Sequence, residues 1–136
     1  MKKIKNILFG DELVLGVDVV DQQHKRLIKC FNSIIDANVS NRGDLPNLFS
    51  EFASYTEFHL KNEVEFMHQI KFPDIDRHVN KHDAILAEIH RVASSYNYDD
   101  GISLDELDNL RDLFVYHIMV EDLKYVEYYN NKNNNA

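Results

Sequence analysis

The sequence predicts an all-α protein, an antiparallel up-down-up-down four-helix bundle with a non-helical N-terminal arm. Three observations predict it. Apolar residues recur every three or four positions instead of alternating. Punctuation is sparse, with Pro46, Pro73 and four glycines among 136 residues. The breaks between the periodic stretches are short, which favours antiparallel neighbours. At this length, with 44% hydrophobic residues, a single domain with its own core is expected, spanning 1–129 with 1–17 as the arm. The polar tail NNKNNNA, at 130–136, is expected to be disordered.

The first helix, 18–39, carries Val20, His24, Leu27, Ile28, Phe31, Ile34 and Ile35 on one stripe and ends at the NRGD stretch. The second starts at Asp44, an expected N-cap with Pro46 in the first turn, and runs to 69. Its stripe is Leu48, Phe49, Phe52, Tyr55, His59, Glu63, Phe66 and Met67. Pro73 breaks its continuation. The third helix then carries Ile75, His78, Val79, His82, Ile85, Leu86, Ile89 and Val92 as far as 95. After the YNYDDG loop, Ser103 and Glu106 form a capping-box pattern, opening a fourth helix through Leu107, Leu110, Phe114, His117 and Ile118 to 129. The arm is expected to pack across the bundle through Ile7, Leu8, Phe9, Leu13 and Val17.

Bulk properties exclude several function classes. The formal net charge is −8 and no basic stripe is present, which disfavours nucleic acid and anionic membranes as partners. Apolar runs fall far short of the roughly 18 to 20 residues that span a bilayer, and MKKIKNILFGDE lacks a long apolar core and a cleavage site. A soluble, cytoplasmic protein is therefore expected. The single Cys30 supports neither an internal disulfide nor a zinc ribbon, and reads as a small, partly buried hydrophobe.

The seven histidines are the compositional oddity. Each unsatisfied buried polar group costs roughly 1 to 3 kcal/mol, yet every predicted helix sets polar residues in its apolar stripe. One histidine so placed is most often hydrogen-bonded within an ordinary core. Here they come as a set. His59 with Glu63, and His78 with His82, stand at i and i+4, about 40° apart around a helix. With the first and third helices running up and the others down, these pairs fall toward the same end of the bundle as His24 and His117. Five imidazoles with at least two carboxylates exceed the needs of one ion, whereas two ions with bridging carboxylates satisfy the groups. Imidazole with carboxylate suits iron, with zinc, manganese or copper as competitors. A histidine-rich donor set leans toward reversible oxygen binding, because neutral ligands stabilise high-valent iron less.

DQQH at 21–24, H-x-x-x-E at 59–63, H-x-x-x-H at 78–82 and H-x-x-x-x-D at 117–122, with MHQIKFPDIDRHVNKHD between, resemble the hemerythrin family over residues 8–128. The resemblance implies one iron held by His78, His82 and His117 and a second held by His24 and His59. Glu63, Asp122 and a solvent-derived oxo or hydroxo group would bridge them, and dioxygen would take the open position on the two-histidine iron. The family's arm usually carries a tryptophan near Leu8 or Phe9, and this chain has none. Leu27, Ile28, Leu60, Phe114 and Ile118 are the candidates for lining the oxygen pocket. His68 is expected to face solvent and His90 the edge of the core, neither as a ligand. Tyr55 and Tyr125 are candidates to donate hydrogen bonds to the ligands, but tyrosines at helix seams are more often packing, and neither is counted in the site.

One conflict stands in VYHIMVED. Helical spacing selects Glu121 as the partner of His117, since Asp122 at i+5 lies about 140° away. The family pattern selects Asp122. Either a π-bulge between 117 and 122 brings i+5 round, or a bridging carboxylate approaches from another side. The function expected is reversible dioxygen binding by a monomer, for storage, delivery or sensing, rather than enzymatic turnover. A weak peroxidase-type side activity is compatible with it. The alternatives are a di-iron oxidase, peroxidase or nitric oxide handling enzyme, and a structural bundle that is metal-free or binds zinc.

Overall fold

The computed structural model describes residues 6–134. Its long helices are α1 (Asp18–Ser40), α2 (Leu45–Gln69), α3 (Ile75–Ser95), α4 (Leu104–Tyr116) and α5 (Leu123–Asn134). A π-helical segment, His117–Asp122, joins α4 to α5, so that α4, the π segment and α5 act as one long fourth helix. Helix α2 packs on both α1 and α3, and α3 on α4, as the antiparallel bundle requires. No helix is long and apolar enough to cross a membrane, among the described residues.

Two apolar clusters divide the interior. The larger holds Phe31, Ile34, Phe52, Ile89, Leu107, Leu110 and Phe114. The smaller joins Leu15, Val20, Met67, Ile70, Tyr125 and Val126. The polar stripe residues lie between them.

The helix ends depart from expectation in three places. Asp44 makes no side-chain cap to α2; a 3₁₀ turn at Arg42–Asp44 precedes that helix, and the Asp44 carboxylate instead accepts from Asn41 Nδ2 at 2.9 Å. The capping box of α4 is half formed. Ser103 Oγ accepts from the Glu106 amide at 3.2 Å, while the Glu106 carboxylate turns away to Arg91 and Ser95. The tail also differs, because α5 continues to Asn134 and only 135–136 fall outside the described residues. Two contacts hold that extension down. Tyr128 Oη donates to the Lys71 carbonyl and Lys132 Nζ to the Ile70 carbonyl, both at 3.1 Å. Those carbonyls belong to the turn that ends α2, where Lys71 adopts a left-handed conformation with φ 59°.

The arm, of which 6–17 are described, is held by its backbone as well as its side chains. Ile7 exchanges two hydrogen bonds with the Asn32 side chain, at 2.8 and 2.9 Å. The Asp21 carboxylate accepts from the amides of Leu15 and Gly16, at 2.9 and 3.1 Å, one turn before His24. Ile7, Leu13 and Leu15 are buried, and Phe9 and Val17 pack partly against the clusters. Leu8 does not pack as expected: it is 80% exposed, since Ile7 takes the inward position beside it. Asp21→Ala removes a charged acceptor from two amides and is predicted to cost about 2 kcal/mol in urea unfolding. A loss under about 0.5 kcal/mol would contradict the anchoring role.

Candidate metal centre

Local helix geometry delivers each side chain. His59 with Glu63 on α2, and His78 with His82 on α3, project one turn apart from single helix faces. His24 comes from the second turn of α1. His117 and Asp122 are the first and last residues of the π segment. Bonding from i to i+5 widens that turn by one residue and brings Asp122 onto the face of His117. Of the two ways to reconcile the VYHIMVED conflict, the chain uses the bulge.

All seven residues are buried, none more than 4% exposed. The imidazoles form two groups. The rings of His78, His82 and His117 lie 4.5 to 5.0 Å apart, centre to centre. Those of His24 and His59 lie 4.7 Å apart. Each carboxylate stands between the groups. Asp122 Oδ1 lies 2.9 Å from His117 Nε2 and 3.1 Å from His78 Nε2, while its Oδ2 lies 3.0 Å from His24 Nε2. Glu63 Oε1 lies 3.4 Å from His59 Nε2 and 3.2 Å from His82 Nε2. Two ligand sets follow, one of His78, His82 and His117, the other of His24 and His59, and each includes both carboxylates.

These contacts do not satisfy the groups. Eight buried side-chain nitrogen and oxygen atoms lack a hydrogen-bond partner among the described residues, and all eight belong to His24, Glu63, His78, His82, His117 and Asp122. Buried polar atoms are ordinarily paired. Seven of the eight, all but His24 Nδ1, meet at one point, and lone pairs of neutral imidazoles and anionic carboxylates gathered there fit cations.

The electrostatics agree. Burial raises the carboxyl pKa values of both Glu63 and Asp122, but the surrounding imidazoles outweigh it and hold both below the usual carboxylate range. Burial pushes His59 and His117 down, and the nearby carboxylates, Glu63 for the first and Asp122 for the second, reverse this and raise them. For His82 burial prevails and the pKa is lowered.

Around the centre, sequence reasoning missed Gln23 and left Tyr125 out of the site. His59 Nδ1 donates to Gln23 Oε1 at 2.6 Å, which leaves the neutral ring's Nε2 lone pair facing the centre. Tyr125, of the two roles weighed for it, takes that of donor and not of packing alone: its hydroxyl donates to Glu63 Oε2 at 2.5 Å. Burial, then the charges of Glu63 and Asp122, hold that phenol well above its ordinary pKa. Register could have signalled Gln23, one residue before His24. Nothing local signals Tyr125, because its partner is 62 residues away.

A cavity of about 10 Å³ abuts the two-histidine side, lined by His24, Leu27, Thr56, His59, Leu60, Ile85, Phe114, His117, Ile118 and Asp122. That is about the smallest space that admits a water-sized molecule. Leu27, Leu60, Phe114 and Ile118 line it, whereas Ile28 lies elsewhere in the apolar core. Thr56 and Ile85 were not anticipated. The Thr56 hydroxyl donates to the Phe52 carbonyl at 2.7 Å, so its proton is committed to its own helix. His68 and His90 are exposed and outside both ligand sets.

Residues 15–129 match the family described as the hemerythrin HHE cation binding domain. The chain belongs to the hemerythrin family. Relatives include the bacteriohemerythrin of Stenotrophomonas maltophilia, 28% identical over 123 residues, covering 89% of this chain and 80% of that one. The bacteriohemerythrin of Campylobacter jejuni is 29% identical over 118 residues, covering 85% and 89%. Among solved structures, a hemerythrin variant superposes with a TM-score of 0.77 at 22% identity, covering 89% of this chain and 95% of that one. A wild-type hemerythrin gives 0.69 at 24% identity, covering 80% and 85%. These structures establish the bundle fold that this hemerythrin-family chain shares.

The pKa directions set the pH response of metal-free protein. The lowered carboxyls of Glu63 and Asp122 stabilise it above their unfolded values, about pH 4, and that contribution is lost as pH falls through the folded values. The raised His59 and His117 stabilise it below about pH 6.5, and that contribution is lost as pH rises through their folded values. His82 opposes them, being one lowered group against two raised. Chelator-treated protein is therefore predicted to melt at lower temperature at pH 8 than at pH 6. A metal-free melting temperature that rises over that interval would contradict this charge arrangement.

Proposed function

We propose that this chain binds dioxygen reversibly at a non-heme di-iron centre and serves in oxygen storage, delivery or sensing. The observation that carries the reading is the position of Glu63 and Asp122, each in contact with imidazoles of both groups. Carboxylates so placed suit two ions that share them, and membership of a cation-binding family supports it. His78, His82 and His117 would hold one iron and His24 and His59 the other, with Glu63, Asp122 and a solvent-derived oxygen between them. When bound, the irons supply paired changes between ferrous and ferric states, through which dioxygen is taken up and released.

The chain's own residues set the terms. Five neutral imidazoles against two carboxylates leave the donor set with little negative charge, which favours return to the ferrous state. Gln23 fixes the tautomer and orientation of His59. Tyr125, held on Glu63 Oε2, restrains the carboxylate and keeps its phenolic proton. Leu27, Leu60, Phe114 and Ile118 form the dry wall beside the two-histidine group and exclude the water that would carry off reduced oxygen species.

Anaerobic reduction followed by oxygen is predicted to give a stable coloured form that bleaches on degassing. Rapid consumption of oxygen or peroxide, without such a form, would instead indicate an enzyme. Phe114→Ala opens the wall and is predicted to speed autoxidation by about tenfold; autoxidation no faster than wild type would remove Phe114 from the pocket. Asp122→Ala is predicted to drop iron below the two per chain of wild type, and Glu121→Ala to retain it, by elemental analysis after iron-replete expression.

A further inference from the structure

Glu121 is a further buried carboxylate, next to Asp122 in the chain, and it is not used. It stands four residues after His117, the same spacing at which Glu63 follows His59 and faces the centre from α2. An α-helical turn at 117–121 would put Glu121 on the face of His117. It is also buried, at 3% exposure, beside a set of atoms that draws cations. Yet Glu121 belongs to neither ligand set.

Two cations account for its position. Arg77, from the first turn of α3 and next to His78, donates through Nη1 to Glu121 Oε2 at 3.1 Å and through Nη2 to Oε1 at 3.4 Å. Lys124, one turn on from Glu121, lies 3.4 and 3.3 Å from the same two oxygens. Both cations are close to half exposed, at 46% for Arg77 and 42% for Lys124, so the partners of the carboxylate lie at the surface and not in the centre. Burial alone would raise the Glu121 carboxyl, and Lys124 and Arg77 reverse this and hold it ionised. The Arg77 fork also ties α3, which bears His78 and His82, to the segment that bears His117 and Asp122.

We propose that Arg77 and Lys124 are positioning residues that hold Glu121 out of the centre, and so make Asp122 the acid that completes it. The proposal rests on reading the seven buried residues as a metal centre. A π turn is intrinsically rarer than an α turn, and its i to i+5 bonding places the shorter acid inward. With its counter-ions removed, a buried carboxylate beside two cations would be drawn to them. Glu121 would then compete with Asp122 for the same space.

The test is R77M/K124M against R77M/K124M/E121Q, with iron as the probe. The apolar stems of the replacements preserve packing at these half-exposed positions. The double variant is expected to lose iron to a chelator about tenfold faster than wild type and to shift the visible bands of the iron-loaded protein. Adding E121Q removes the rival ligand, and both properties are expected to return to within about twofold of wild type. Wild-type behaviour of the double variant, or a triple variant as impaired as the double, would overturn the proposal. The second result would mean that the ion pairs matter only as structure.

A metal-free measurement separates this from failure of the centre itself. Amide hydrogen exchange over 118–123 is expected to be about tenfold faster in R77M/K124M than in wild type and near wild type in R77K. Unchanged exchange in the double variant would overturn the proposal whatever the protein binds. Failure of wild type to take up iron would overturn the metal-centre reading instead, and leaves the exchange result standing as evidence on the Glu121 ion pairs.

Discussion

The bundle is organised around one unfavourable act, the burial of five imidazoles and two carboxylates at a point where they cannot satisfy one another. Their inward atoms approach to about 3 Å or somewhat more, yet seven of them remain without hydrogen-bond partners among the described residues. Desolvation of such groups is costly unless charge compensates it. In the absence of metal, protons on His59 and His117, whose pKa values the carboxylates raise, supply part of that compensation. Cations would supply it more fully. The two apolar clusters on either side then act as the walls that exclude water and provide the folding free energy that the polar layer does not.

The fourth helix shows how the backbone meets this demand. One extra residue in the turn at His117–Asp122 brings an aspartate onto the histidine face and resets the phase of everything after it. Tyr125 thereby reaches Glu63 on α2, and Val126 enters the smaller apolar cluster. Tyr128 and Lys132 then clasp the turn that ends α2. The irregular turn is thus fixed from both sides, by Arg77 and Glu121 near the centre and by α5 beyond it. A π segment at a functional site of this kind is a recurring use of an otherwise costly geometry.

The four helical spans and the convergence of the histidines were legible because periodicity and i, i+4 spacing are local. His59, Glu63, His78 and His82 announce themselves in pairs, and antiparallel order alone brings His24 and His117 to the same end. Asp122 was not legible from spacing, which favours Glu121; only the family pattern selected it. What decides between them is a contact between residues 44 positions apart, Arg77 with Glu121. The same limit explains Tyr125, Thr56 and Ile85, whose roles depend on which faces meet across the bundle. At the helix ends, a local rule lost to a neighbour: Asp44 serves Asn41 instead of capping, and Glu106 serves Arg91. The polar tail looked disordered by composition, yet Lys132 finds a carbonyl in the turn that ends α2.

The proposed centre is two cations sharing two carboxylates. X-ray absorption at the iron edge of the iron-loaded protein addresses this most directly, since it reports both the donor atoms and any neighbouring metal. A nitrogen- and oxygen-only shell with a metal–metal scatterer at about 3.5 Å is predicted. A single isolated iron, with no second metal within that range, would contradict it.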